Sequence, residues 1–135
     1  MQEILFRGKR IDNGEWICGF YYIKPNPCSE DGEPKYYAIS DLPPFGAEIH
    51  PETVGQYTGL TDKNGKKIFE GDICRIKEHG DVDLAVISFE HGAFYATPHN
   101  ANIHEHTLWD IWYNDFDIEI IGNIHDNLEL LEEQS

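Results

Sequence analysis

The sequence predicts a mainly β chain, on three observations. Segments rich in β-branched and aromatic residues recur at ~8–12-residue spacing between turn signals. Two Asn-Gly pairs, Asn13-Gly14 and Asn64-Gly65, supply the positive φ that tight hairpin turns need. The middle of Val82–Glu90 (VDLAVISFE) is apolar on both faces, as in a central strand.

Taken in order, Ile4–Arg10 alternates loosely, Asp12-Asn13-Gly14 turns the chain, and Glu15–Ile23 returns as a second strand. Lys24–Lys35 (KPNPCSEDGEPK) has no periodicity and reads as an exposed loop. Tyr36–Ser40 reads as a short strand, and Asp41–Pro51, with Pro43, Pro44 and Pro51, as irregular chain. Val54–Leu60 enters the turn Thr61–Lys66. Lys67-Ile68-Phe69 follows, then the turn Glu70-Gly71-Asp72. Along Ile73–Glu78, Cys74 and Ile76 share one face while Arg75 and Lys77 share the other. Val82–Glu90 pairs with Ala93–Thr97 across His91-Gly92. Residues 98–116 admit two readings. Thr107 can cap a short helix in which Leu108, Ile111 and Trp112 share a face, or the aromatics can form a strand. Asp117–Ile124 is a strand with a bulge at Gly122, and Asp126 is placed to cap a last helical turn.

These strands suit a small SH3-like barrel over residues 56–126. Residues 1–55 form an N-terminal β-rich segment with a β-hairpin and proline-rich loops, and residues 127–135 a short C-terminal helical tail.

The chain has 135 residues, 40% hydrophobic and 13% aromatic, enough to bury a core without metal or disulfide staples. Cys18, Cys28 and Cys74 are odd in number and form no C-x-x-C pair, so a disulfide framework or cysteine zinc site is not expected. No window is long and apolar enough for a membrane span, and the first residues lack the pattern of a signal peptide; a cytoplasmic protein is expected. The net charge is −15. All ten Lys/Arg lie within residues 1–80, while residues 81–135 hold twelve Asp/Glu and no Lys or Arg. That half repels phosphate and attracts a basic protein surface, so direct nucleic-acid binding is not expected.

The run Gln56–Ile73 (QYTGLTDKNGKKIFEGDI) closely resembles the signature of the YopX-like proteins of bacteriophages and prophages. Ile4–Arg7 resembles that family's opening strand, Phe89–Phe94 its mid-chain hairpin, and Ile120–Leu131 its C-terminal strand and tail. The resemblance implies a phage-encoded, β-rich, oligomeric protein with an SH3-like barrel, working in a bacterial host cell. It implies no catalytic residue and no cofactor. The loop 24–35 and the histidine-rich stretch 99–106 depart from the family pattern.

His99, His104 and His106, with Glu105 between them and Asp110 nearby, are the sharpest chemical candidate. On a strand His104 and His106 point the same way, about 7 Å apart. Imidazoles with a carboxylate suit zinc, but the spacing matches no standard motif, and a solvated polar loop is the simpler reading. Asp81/Asp83 and Asp115/Asp117/Glu119 pair at i, i+2; an exposed strand face explains them better than acid–base chemistry. No phosphate loop, dinucleotide fingerprint or serine elbow is present. Trp109, Trp112 and Tyr113 stand among acids without a basic neighbour; most are expected in the core, with a protein-binding hot spot as the other reading.

The sequence therefore favours a non-enzymatic accessory protein that self-associates and binds a basic host protein. Its surface for that partner would be Trp109, Trp112, Tyr113, Asp115, Asp117 and Glu119. An acidic DNA mimic that blocks a nucleic-acid-binding protein is one alternative. A metal-dependent enzyme built on His99, His104 and His106 is the other.

Overall fold

A computed structural model describes residues 4–24, 35–39 and 46–132. Cys28, most of the loop expected over 24–35, and Pro43 and Pro44 lie outside the described residues. The chain divides into two compact units, Met1–Tyr57 and Thr58–Ser135. Among the described residues no helix is long and apolar enough to cross a membrane.

The first unit is antiparallel throughout. β1 (Phe6–Arg10) pairs with β2 (Trp16–Lys24) across a turn in which Gly14 takes φ +73°. β3 (Lys35–Ile39) lies between β2 and β4, and β4 (Gly46–Thr61) also pairs with β1. β4 corrects the irregular reading of residues 46–51, since the strand runs straight through Pro51. The register explains how. Lys9 faces His50 and Arg7 faces Gly55, so the residues between bulge out of the ladder. Pro51, which has no N–H, stands where none is required. Thr53 fills the gap: its Oγ1 accepts the Lys9 N–H at 2.9 Å and donates to the His50 carbonyl at 2.6 Å. Gly8 sits against Ile49, which is almost wholly buried; a Cβ at Gly8 would lie 2.6 Å from Ile49 Cδ1.

In the second unit the end of β4 pairs with β5 (Lys67–Phe69). A five-stranded antiparallel sheet follows in the order β10-β6-β7-β8-β9. Its strands are β6 (Asp72–Glu78), β7 (Asp81–Glu90), β8 (Ala93–Pro98), β9 (His106–Thr107) and β10 (Asp117–Asn123). The expected closed barrel over 56–126 is therefore an open sheet: among the described residues no pairing joins its edge strands β9 and β10. The stretch that would supply a closing strand is spent on a loop, the two-residue β9 and the helix α1 (Leu108–Tyr113). Leu108 and Ile111 of α1 cover the core made by Ile68, Ile76, Ile87 and Ile118. Burying each such isoleucine contributes roughly 2 kcal/mol.

The residues of the signature run are structural anchors. Asp62 Oδ1 accepts the N–H groups of Asn64 and Lys66, both at 2.9 Å, which forms the β4–β5 turn. Its Oδ2 accepts the Ile120 N–H at 3.0 Å, which ties that turn to β10. Burial alone would raise the Asp62 carboxyl, but the amides of Ile120, Lys66 and Asn64 hold it below the usual aspartate range. Asp72, almost wholly buried, accepts the Phe69 N–H at 2.8 Å and closes the next turn, where Gly71 takes φ +92°.

β10 carries the expected bulge, with its register shifting between Ile120 and Gly122. Gly122 admits Asn127, whose Oδ1 accepts the Asn123 N–H at 3.2 Å. The cap expected at Asp126 is corrected. α2 (Glu129–Glu132) starts three residues later, and Asp126 Oδ2 takes the Asn123 side-chain amide at 3.3 Å.

Candidate functional site

The helix α1 forms as the capping reading requires. Thr107 is its N-cap, extended at φ −69° and ψ 154°, and its Oγ1 accepts the Asp110 N–H at 3.2 Å. The far end closes by a Schellman motif. The Phe116 N–H reaches the Ile111 carbonyl and the Asp115 N–H reaches the Trp112 carbonyl, with Asp115 left-handed at φ +56°. Glycine is the usual residue at that position.

Six residues make less than two turns, so few side chains can face inward. Leu108 and Ile111 do. Trp109, Trp112 and Tyr113 do not: they are 60%, 63% and 68% exposed. This corrects the expectation that most of these aromatics pack in the core, and Trp112 does not join the buried face of Leu108 and Ile111. Trp109 and Tyr113, one turn apart, stack with centroids 5.0 Å apart and planes 13° from parallel.

Beside α1 lies a cleft of about 180 Å³. Leu60, Ile68 and Ile118 contribute apolar lining, and Trp112, Asp115 and Asp117 also border it. Lys63 borders it too, but its Nζ is 3.8 Å from Glu119 Oε2. Glu119 also takes Arg75 Nη1 at 2.8 Å, so this carboxylate is already neutralised within the unit. Of the three acids singled out at i, i+2 spacing, Asp115 and Asp117 are exposed and Glu119 is held by cations.

Asp81 is exposed, whereas Asp83 is buried. Asp83 accepts the backbone N–H groups of Leu84, Asn100 and Asn102 at 2.8–3.2 Å and so organises the loop after β8. It is an internal anchor and takes no part in a carboxylate pair.

The histidines separate. His99 donates its backbone N–H to Leu84 and borders a different depression with Leu128 and Leu131. Glu105 accepts the Thr97 hydroxyl at 3.2 Å. His104 and His106 instead meet Glu78, at the end of β6. Glu78 Oε1 lies 3.1 Å from His106 Nε2 and 3.5 Å from His104 Nδ1, and Oε2 accepts the His104 backbone N–H at 3.1 Å. One ligand atom from each of the three lies within 4.8 Å of the others. Burial works to raise the Glu78 carboxyl, but the His104 amide and the two imidazoles bring it below the usual glutamate range. Glu78 was missed from the sequence, although its alternation with Cys74 and Ile76 puts it on the inward face of β6, where a carboxylate needs partners.

The sequence profile of the YopX protein family matches residues 6–132. Among solved structures, the crystal structure of protein EF1440 from Enterococcus faecalis is similar, with a TM-score of 0.54 and 26% identity. The match covers 97% of this chain and 99% of that one. No curated protein matches the chain.

Proposed function

Starting from a chain that belongs to the YopX family over nearly its whole length, we propose that it is a non-enzymatic accessory protein of phage or prophage that works by binding a basic polypeptide through α1. The observation that supports this reading is the outward display of Trp109, Trp112 and Tyr113 on a helix of six residues. Exposing three large aromatics together forgoes burial worth several kcal/mol, and patches of this kind mark interaction sites.

The chemistry of the partner follows from charge. Residues 81–135 contain no Lys or Arg, and Asp115 and Asp117 stand exposed beside the rings. An arginine guanidinium can stack on the Trp109–Tyr113 pair, an interaction worth about 0.5–1 kcal/mol where solvent reaches it. A lysine or arginine stem fits the apolar cleft while its charged head meets the carboxylates at the rim. The left-handed Asp115 supports the same reading, because a carboxylate is kept where glycine would fit with less strain.

The DNA-mimic alternative is weaker on this geometry. Such a surface needs an array of free carboxylates, whereas Asp83 and Glu119 are engaged inside the unit. The reading is tested by titrating labelled arginine-rich, lysine-rich and glutamate-rich peptides into the chain at low and high salt. Basic peptides are expected to bind at low salt and to lose affinity in the Trp109→Ala/Trp112→Ala variant. Sedimentation of the chain alone reveals whether a second copy, through the Lys and Arg side chains of its residues 1–80, is the partner; a salt-sensitive dimer that the same variant disrupts would identify self-association.

A further inference from the structure

We propose that Glu78, His104 and His106 bind a divalent transition-metal ion, with Zn²⁺ the best match. Two imidazoles and a carboxylate are a zinc donor set, and bonds of about 2.0–2.1 Å in tetrahedral geometry place donor atoms about 3.3 Å apart. Glu78 Oε1 already lies 3.1 Å from His106 Nε2 and 3.5 Å from His104 Nδ1. The third side of the triangle is no longer than 4.8 Å, so a small turn of one ring completes it.

Two of the three ligands are held before any ion arrives. The Glu78 side chain is 11% exposed, and its second oxygen is anchored by the His104 backbone N–H, which leaves Oε1 to face the imidazoles. His106 is 18% exposed, lies in β9 paired with Ala96, and packs its ring against Phe116 at 5.4 Å between centroids. His104, 87% exposed, is the adjustable ligand and opens the site to water, which would fill the fourth position. In the absence of an ion, one carboxylate oxygen must serve two imidazoles at once. A cation satisfies all three groups together, and the acidic character of residues 81–135 raises the local cation concentration.

Soft or borderline ions are selected over Mg²⁺ and Ca²⁺, which prefer all-oxygen sites. The ion would join the end of β6 to the segment leading into α1, since Thr107, next to His106, is that helix's cap.

The test uses the full chain without an affinity tag, stripped with a chelator and titrated with Zn²⁺ against a chromophoric competitor. One Zn²⁺ per chain is expected, with a rise in melting temperature that Mg²⁺ does not give. Co²⁺ in its place should show the intense visible bands of a tetrahedral site. His104→Ala, at an exposed position that leaves the fold intact, is expected to weaken Zn²⁺ binding at least tenfold, and Glu78→Gln likewise. His99→Ala should leave it unchanged. Absence of stoichiometric binding, or binding that survives His104→Ala, would overturn the assignment.

Discussion

Three backbone amides converge on the Asp62 carboxylate. Asp62→Ala should cost about 3 kcal/mol, because three part-buried amides lose a charged acceptor at once. Chemical denaturation of the two proteins measures this directly. The pH dependence has a definite sign. The folded carboxyl sits below its ordinary value, so its stabilisation is complete above the unfolded pKa and disappears as pH falls through the lower, folded one. Wild type should therefore lose stability below about pH 4 more steeply than Asp62→Ala. Parallel acid limbs in the two proteins would refute that role. At this scale the sequence was readable where backbone geometry dictates the residue, as at Gly14, Gly65 and Gly71, all at positive φ. It was unreadable where a side chain's partners are remote. Glu78 is 26 residues from His104, and Asp62 is 58 from Ile120. Asp83 looked like half of an exposed pair because the loop that covers it comes 17 residues later.

Among elements, α1 shows how far a short helix can be separated from core packing. Its cap at Thr107 was legible as one of two readings, since a Ser/Thr residue before an apolar pair has a local signature while the aromatics of the same stretch also suited a strand. The outward turn of Trp112 was not, because Trp112 stands at helical spacing from Leu108 and yet is 63% exposed. Thr107→Ala should lower stability by about 1 kcal/mol, while Thr107→Ser should restore it. Asp115→Gly should leave the melting temperature unchanged or higher, since glycine suits the left-handed position, and should weaken binding of a basic peptide by removing a rim carboxylate. A loss of stability with binding intact would contradict the assignment of Asp115 to the site. In the first unit, Thr53→Val removes the acceptor that replaces a ladder carbonyl at the Pro51 bulge, and should destabilise by about 1–2 kcal/mol where Thr53→Ser does not. Prolines gave residues 41–51 the look of irregular chain; a bulge with a side-chain acceptor is what allows a strand to run through Pro51.

For the molecule as a whole, the mainly β character and the antiparallel hairpins followed from turn chemistry and alternation, which are local. Closure did not follow, because whether a sheet closes depends on what a single stretch does, and here β9 and α1 take the place of a closing strand. Charge is the other whole-molecule feature. The second unit holds Lys63, Lys66, Lys67, Arg75 and Lys77, all before residue 81, so its stretch 81–135 offers a basic partner an acidic surface, part of which Arg75 and Lys63 neutralise at Glu119. Association through exposed carboxylates should weaken as salt rises, whereas contact with the tryptophans should persist. The two contributions are separable in one experiment: a labelled arginine-rich peptide titrated into wild type and into Trp109→Ala/Trp112→Ala, at low and high salt, with circular dichroism to show that both are folded. Tight binding to wild type is expected at low salt, with a partial loss at high salt and a loss of at least tenfold in the folded variant. Equal binding by the two proteins, or none by wild type at low salt, would rule out α1 as the binding surface.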